Sequence, residues 1–245
     1  MRLLHLDIET APNVGFFWGL YDQTISINQI DKPGYTLCFA AKWHNKKSII
    51  FDSIQKSGME GMVRHAHDLL SEADAVVHYN GTKFDIPKLQ EEIAMQGLDP
   101  PTPFSEIDLL KVVRRKFKFA SNKLDYVCQR FGIGAKVENK GMPLWIGCMN
   151  GDPKCWREME RYNRQDVRLL PRLYERLLPW IENHPNWGHW NSGEIVCRNC
   201  GSTNVKKDGV ERRTITPYQR YRCLDCRKPL RGRYKLPNEN QPTTT

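Results

Sequence analysis

The sequence predicts an α/β protein with a mixed sheet, followed by a small basic module that carries a cysteine cluster. Three observations lead there. Apolar runs of strand length alternate with helix-periodic segments after a hairpin-like start. Four of the eight cysteines lie near the end of the 245-residue chain, as two C-x2-C pairs. Residues 195–245 hold twelve Lys+Arg against four Asp+Glu, a balance of +8, so residues 1–194 are left at +1 of the total +9.

The elements follow in order. Residues 3–8 read as a strand, and residues 37–43 and 48–51 as two more, joined by the polar turn Asn45-Lys46-Lys47. Residues 59–73 have helical spacing, with Met62, Ala66, Leu69 and Leu70 on one face. Residues 75–79 form a short apolar strand that runs into the turn signal Asn80-Gly81. A helix over 84–96 is stopped by Gly97 and Pro100-Pro101. Residues 107–113 contain another apolar stretch, which fits a strand or a helix start. A helix over 121–131 ends at Gly132. The last long helix covers about 155–181, where Pro171 must kink or restart it. These segments set the domain limits: 1–183 the α/β domain, 184–194 a linker, 195–236 the basic module and 237–245 a flexible tail.

At 40% hydrophobic and 27% charged residues, the chain has enough apolar material for a full core. No apolar run approaches the ~20 residues of a membrane span. Asp7 and Glu9 come too early for a signal peptide. Membrane and secreted classes are thereby excluded, and a cytoplasmic location is expected.

Four carboxylates sit where apolar residues belong. Asp7 and Glu9 are two apart on a strand, so both point to one face while Leu4, Leu6 and Ile8 fill the other. Taken alone, that strand equally fits an antiparallel edge with a solvated face. Asp85 follows the turn after the 75–79 strand. Asp166 shares its helical stripe with Leu169, Leu170 and Leu173, one turn beyond Tyr162. Inward carboxylates lose hydration and repel one another unless cations lie between them. Four carry −4 formally, which two divalent ions balance. Oxygen ligands without His or Cys select Mg²⁺ or Mn²⁺, and such a pair stabilises both oxygens of a phosphodiester displacement.

Asp7-x-Glu9, then Asn80-x3-Phe84-Asp85, then Tyr162-x3-Asp166 resembles the three motifs of the DEDDy 3′→5′ exonucleases, the group that includes polymerase proofreading domains. The resemblance covers roughly residues 1–180. It implies a ribonuclease H-like fold, a mixed five-stranded sheet flanked by helices. It further implies that Asp7, Glu9 and Asp166 hold the metal that activates water, and that Asp7 also touches a second metal bound by Asp85. Tyr162, with an ordinary pKa near ~10, orients the water rather than acting as base. Asn80 and Phe84 match positions that contact and wedge the terminal nucleotides. Phe84 also fits a core residue at a helix start, and Thr10 fits either a backbone contact to substrate or a helix cap. Lys123, Lys136 and Lys140 lie in a stretch similar to the substrate-proximal region of stand-alone phage enzymes. Lys123 is taken as the phosphate contact.

Cys197-x2-Cys200 and Cys223-x2-Cys226 match a four-thiolate structural zinc site. The segment around them resembles the zinc ribbons of some nucleic-acid enzymes, with strands at Val205 and 215–221. With Zn²⁺ on four thiolates the module is still near +6. Arg212, Arg213, Arg220, Arg222, Arg227, Lys228, Arg231, Arg233 and Lys235, with Tyr218, Tyr221 and Tyr234, suit phosphate contacts and base stacking. Cys38, Cys128, Cys148 and Cys155 lack ligand spacing and read as core or partly exposed residues.

The expected activity is two-metal 3′→5′ exonucleolysis of DNA, with single strands or frayed 3′ ends as substrate and roles in replication or repair. A polymerase domain does not fit in 245 residues, so the expected enzyme is free-standing or works beside a DNA polymerase partner, in a bacterial cytoplasm if phage-encoded. Two rivals remain: a 3′→5′ exoribonuclease, and a non-catalytic nucleic-acid-binding or replication accessory protein.

Overall fold

The structure is a computed structural model that describes residues 1–186, 196–212 and 216–236. Most of the expected linker and the whole expected tail lie outside the described residues. The chain forms two compact units, Met1–Tyr174 and Glu175–Thr245.

The first unit contains, in order, β1 (Leu3–Thr10), β2 (Val14–Gly15), β3 (Ile30–Lys32), β4 (Thr36–Trp43), β5 (Ile50–Ser53), α1 (Ile54–Glu72), β6 (Ala75–His78), α2 (Asp85–Met95), β7 (Ser105–Asp108), α3 (Leu109–Lys116), α4 (Leu124–Arg130), α5 (Met142–Met149) and all but the last turn of α6 (Pro153–Leu177). Five strands make one sheet in the order β5-β4-β1-β6-β7. The central strand β1 runs antiparallel to β4, with Asp7 opposite Ala40 and Glu9 opposite Cys38. It runs parallel to β6, with Leu4 opposite Val76. The short β4–β5 turn gives an antiparallel pair, and the helical crossovers through α1 and α2 give parallel neighbours. This is the mixed, helix-flanked sheet of the ribonuclease H-like fold.

One face of β1 makes the core. Leu4, Leu6 and Ile8 pack with Phe39, Met62, Val63, Ala66, Leu70, Ile86 and Leu89, and full burial of each such side chain is worth roughly 1.5–3 kcal/mol. The opposite face carries Asp7 and Glu9, and there α6 covers the strand: Asn163 of α6 donates to Asp7. A solvated face is therefore ruled out. Helix α6 buries Met159, Asn163, Asp166, Leu170 and Leu173 at three- and four-residue spacing.

Several boundaries shift for local reasons. Helix α1 begins at Ile54 because Ser53 Oγ accepts the Lys56 N–H, and Gly58, at φ 68°, separates that first turn from the periodic remainder. The ambiguous 107–113 segment is both things: β7 ends at Asp108, whose carboxylate caps α3 through Leu110 and Lys111. Pro171 lies inside α6, and the helix is not restarted there. Helix α5 and the β2–β3 ribbon were not expected. Pro143 in the first turn, after Gly141, starts α5.

The second unit holds a three-stranded antiparallel sheet in the order β10-β9-β8, from β8 (Val205–Arg212), β9 (Pro217–Cys223) and β10 (Pro229–Lys235). The third strand was not expected. No helix among the described residues is long and apolar enough to cross a membrane.

Candidate active site and cysteine cluster

Three of the four carboxylates meet. One oxygen each from Asp7, Glu9 and Asp166 lies within 4.8 Å of the others. Asp85, buried at the start of α2, joins from the side: its Oδ1 accepts the N–H of Ile8, the residue between Asp7 and Glu9, at 3.0 Å. Asp85 thus stands at the cluster's edge, outside the closest trio.

Electrostatics record the crowding. Burial pushes Asp7 well above the ordinary carboxylate range, and the charges of Asp166, Asp85 and Glu9 push the same way. Burial, then Asp166, raises Glu9 to about 8. Burial raises Asp85 to about 6, although the Ile8 N–H favours its charged form. Asp166 is raised mainly by burial, against the pull of Lys136. The Lys136 ammonium is the cation of the site: it pairs with Asp166 and donates to the Tyr162 hydroxyl at 3.3 Å. Burial opposes its charge, but Asp166 and Tyr162 hold its pKa above the usual lysine value.

Some supports were not anticipated. Asn163 is fully buried; its Nδ2 donates to Asp7 Oδ2 at 2.7 Å and to the Asp7 carbonyl at 3.2 Å. Its position three residues before Asp166, on the same inward stripe, was the signal for it. Trp145 of α5 favours the charged form of Glu9 and stacks edge-on against Tyr162, with ring centroids 6.1 Å apart. Burial, with the Asp166 charge, moves the Tyr162 hydroxyl up to about 12.

The remaining candidates divide. Asn80 sits in the left-handed region at φ 73°, and its N–H donates to Asp108 Oδ1 at 3.0 Å. Gly81 beside it leaves no room for a side chain without a shift, because a Cβ would meet the His78 ring at 2.3 Å. Phe84 is 47% exposed at the start of α2, which rules out a core role. Thr10 ends β1 at an irregularity of its pairing, and no helix follows for it to cap. Lys123 is exposed and precedes α4, with its N–H on Ser121 Oγ, and Lys140 pairs with Glu158; Lys136 alone of the three enters the cluster.

The residues fit a divalent cation. The trio offers hard oxygen donors, and Asp166 Oδ1 is a buried acceptor with no hydrogen-bond partner among the described residues. The second unit shows a separate cluster. The four sulfurs of Cys197, Cys200, Cys223 and Cys226 lie within 4.8 Å of one another, with Cys197–Cys226 and Cys200–Cys223 both at 3.6 Å. A tetrahedron with metal–sulfur bonds of about 2.3 Å has edges of about 3.8 Å, so the set fits one zinc. Among the module's basic residues, Lys228 is excluded as a phosphate contact, because its buried ammonium donates to the Ile181 carbonyl at 2.6 Å. Arg222 pairs with Asp208, and Arg231 pairs with Glu211 and lies over the Tyr218 ring. Arg213 lies outside the described residues, and the side chains of Arg233, Tyr234 and Lys235 are not described.

A family model described as RNase H superfamily matches residues 4–178. The chain belongs to the RNase H superfamily. It is 24% identical to the DNA polymerase delta catalytic subunit of Candida albicans, over 73% of this chain and 21% of that protein. It is similar to the structure of the family B DNA polymerase of the archaeon Pyrobaculum calidifontis, at TM-score 0.56 and 22% identity, over 73% of this chain and 24% of that one. The RNase D structure of Trypanosoma brucei matches at TM-score 0.48 and 16% identity, over 72% of this chain and 57% of that one. The chain thus spans about a fifth to a quarter of the polymerases it matches. Membership in a superfamily named for a nuclease agrees with an acidic cluster suited to divalent metal.

Proposed function

We propose that this RNase H superfamily member is a DEDDy-type 3′→5′ exonuclease that hydrolyses single-stranded DNA or frayed 3′ ends. The observation that carries the reading is the meeting of Asp7, Glu9 and Asp166 from two distant segments, with Asp85 hydrogen-bonded between the first two. In this reading Asp7, Glu9, Asp85 and Asp166 hold two Mg²⁺ or Mn²⁺ ions. When bound, such ions supply an activated water and charge neutralisation at the phosphate.

The chain's own residues then have distinct tasks. Asn163 fixes the Asp7 carboxylate. Tyr162 stays protonated at neutral pH and orients water through its hydroxyl. Lys136 places a positive charge beside Asp166, where a scissile phosphate would gain from it. Thr10, Asn80 and Phe84 line the approach for the terminal nucleotides. Residues 1–183 form the nuclease domain. Residues 195–236 form a zinc ribbon, with Cys197, Cys200, Cys223 and Cys226 holding one structural Zn²⁺, that retains nucleic acid without reading its sequence. The polymerase relatives support a place beside a DNA polymerase.

Degradation of 5′-labelled DNA and RNA oligonucleotides of one sequence, with Mg²⁺, tests this. A ladder of shortening labelled DNA products is expected, with RNA degraded more slowly. Asp7→Ala and Glu9→Ala should abolish the ladder while binding persists. Release of the label first as a mononucleotide, or unchanged cleavage by either variant, would overturn the assignment.

A further inference from the structure

We infer that residues 14–27 form an aromatic arm that stacks on unpaired bases of a nucleic acid whose 3′ end lies at the carboxylates. This extends the nuclease reading and rests on it. The arm begins four residues after β1 ends at Thr10. Its root is stiff: Val14 pairs with Lys32 and Gly15 with Ile30, the Phe16 N–H donates to the Gln29 carbonyl at 2.8 Å, and Gln29 Nε2 donates back to the Phe16 carbonyl at 2.9 Å. The root is also tied to the site's second motif. Gly34 donates to Asn13 Oδ1 at 2.6 Å, and its carbonyl accepts from Lys88 of α2, the helix that begins at Asp85. Closeness at the root leaves no space for side chains, since a Cβ on Gly15 or Gly34 would meet a carbonyl oxygen at 2.5 Å.

Beyond this root the segment holds its apolar groups in solvent. Phe16 is 73% exposed, Tyr21 84%, and Trp18 completely; Phe17, Leu20, Ile25 and Ile27 are also more than half exposed. A soluble chain rarely presents so many large apolar groups in one place without a use. The occupant follows from three features. Residues 16–26 are neither helix nor strand, so these groups do not share one face of an element, as helix or sheet docking requires. Four rings in six residues supply the sequence-tolerant surface that single strands use. The tip carries one charge, Asp22, so it contributes stacking while basic residues elsewhere meet phosphate. The run 111–123 alone has six Lys+Arg and no acid. Its tether to the second motif, the hydrogen bond from Tyr79 to the Asn122 carbonyl, lies beside Asn80. From Glu9 to Phe16 the extended chain reaches at most about 24 Å, or roughly seven stacked nucleotides. A strand longer than that with its 3′ end at the carboxylates therefore extends as far as the arm's root, within reach of its rings.

The test uses the full chain with Trp18→Ala and Phe17→Ala/Trp18→Ala, and Trp18→Tyr as the ring-retaining control. Affinity for a twenty-nucleotide oligothymidylate is measured by anisotropy with Ca²⁺ in place of Mg²⁺, and hydrolysis of the trinucleotide is followed with Mg²⁺. Trp18→Ala should weaken binding of the long strand on the order of ten-fold, the double variant should weaken it further, and Trp18→Tyr should restore most of it. The slope of log affinity against log salt should not move, because no charge is removed, and trinucleotide hydrolysis reports separately on the carboxylate site. Wild-type affinity in the double variant would overturn the arm. So would loss of self-association in sedimentation with nucleic-acid binding intact, which would make the arm a contact between copies. Failure of the wild-type chain to hydrolyse any oligonucleotide would instead sink the nuclease reading, and the binding comparison distinguishes the two.

Discussion

Replacing Glu9 with Gln should make the metal-free protein more stable, and the size of the gain follows from the site. Burial and the Asp166 charge raise Glu9 from an ordinary 4.5 to about 8. At pH 7 the folded chain keeps Glu9 protonated, whereas the unfolded chain ionises it. Folding must then retain a proton over about 2.5 pH units, a cost of at most about 3 kcal/mol at 1.36 kcal/mol per unit. The sign is fixed by the direction of the shift: a raised carboxylate costs nothing below pH 4.5, and its penalty grows as pH rises to about 8. Water reaching the half-buried side chain lowers the figure. Gln has nearly the shape of Glu and cannot ionise. In EDTA at pH 7, Glu9→Gln should unfold up to about 6–12 °C higher than wild type by calorimetry. The gap should vanish near pH 4. Mg²⁺ should narrow it at pH 7 by stabilising wild type more than the variant. Equal unfolding temperatures at pH 7, or a gap that widens toward low pH, would refute the claim that Glu9 is held against repulsion and desolvation.

Other consequences are simpler. Asn163→Ala removes the donor to Asp7 Oδ2 and should reduce Mg²⁺-dependent hydrolysis by roughly 10–100-fold while circular dichroism is unchanged. Gly81→Ala drives a methyl into the His78 ring and should cost about 1–3 kcal/mol in chemical unfolding. Chelation at neutral pH should release one zinc per chain and expose the amides of β8, β9 and β10 to hydrogen exchange, while the five-stranded sheet stays protected. With the ribbon lost, nucleic-acid binding should weaken and its salt dependence flatten.

What could be read from the chain depended on whether a period carried it. Asp7 and Glu9 are legible because a two-residue repeat places them opposite Leu4, Leu6 and Ile8. Asp166 is legible because α6 repeats its apolar positions on both sides of it. Asn163 obeys the same period, but a buried amide next to a tyrosine that matches a motif draws no notice until its hydrogen bond to Asp7 is seen. Lys136 has no period at all. It lies in the irregular stretch between α4 and α5, and its N–H on Asp125 Oδ1 and the Gln165 bond to the Ala135 carbonyl bring it to Asp166. Lys123 and Lys140 have the same chemistry and nearby positions, so only the path of the chain distinguishes them. The aromatic arm escaped for a related reason: residues 14–27 repeat at neither two nor 3.6, and their exposure is a property of the fold.

The carboxylate cluster also explains why one feature serves both folding and chemistry. A sheet face covered by a helix would be most stable with apolar residues at positions 7, 9 and 166, because each acid there gives up hydration and gains like-charged neighbours. Lys136 offsets this at Asp166, and Asn163 satisfies part of Asp7; Glu9 is left raised to about 8. In the proposed two-metal reading, that residual cost is what a divalent cation would relieve on binding, so the group that most destabilises the metal-free fold would contribute most to holding metal. A variant that stabilises the metal-free chain by neutralising the trio should therefore lose metal affinity in proportion. The comparison of Glu9→Gln with Asp7→Asn by metal titration checks that proportionality: the variant with the larger gain in unfolding temperature should show the larger loss of Mg²⁺ affinity, and opposite ranking would separate the stability of this site from its function.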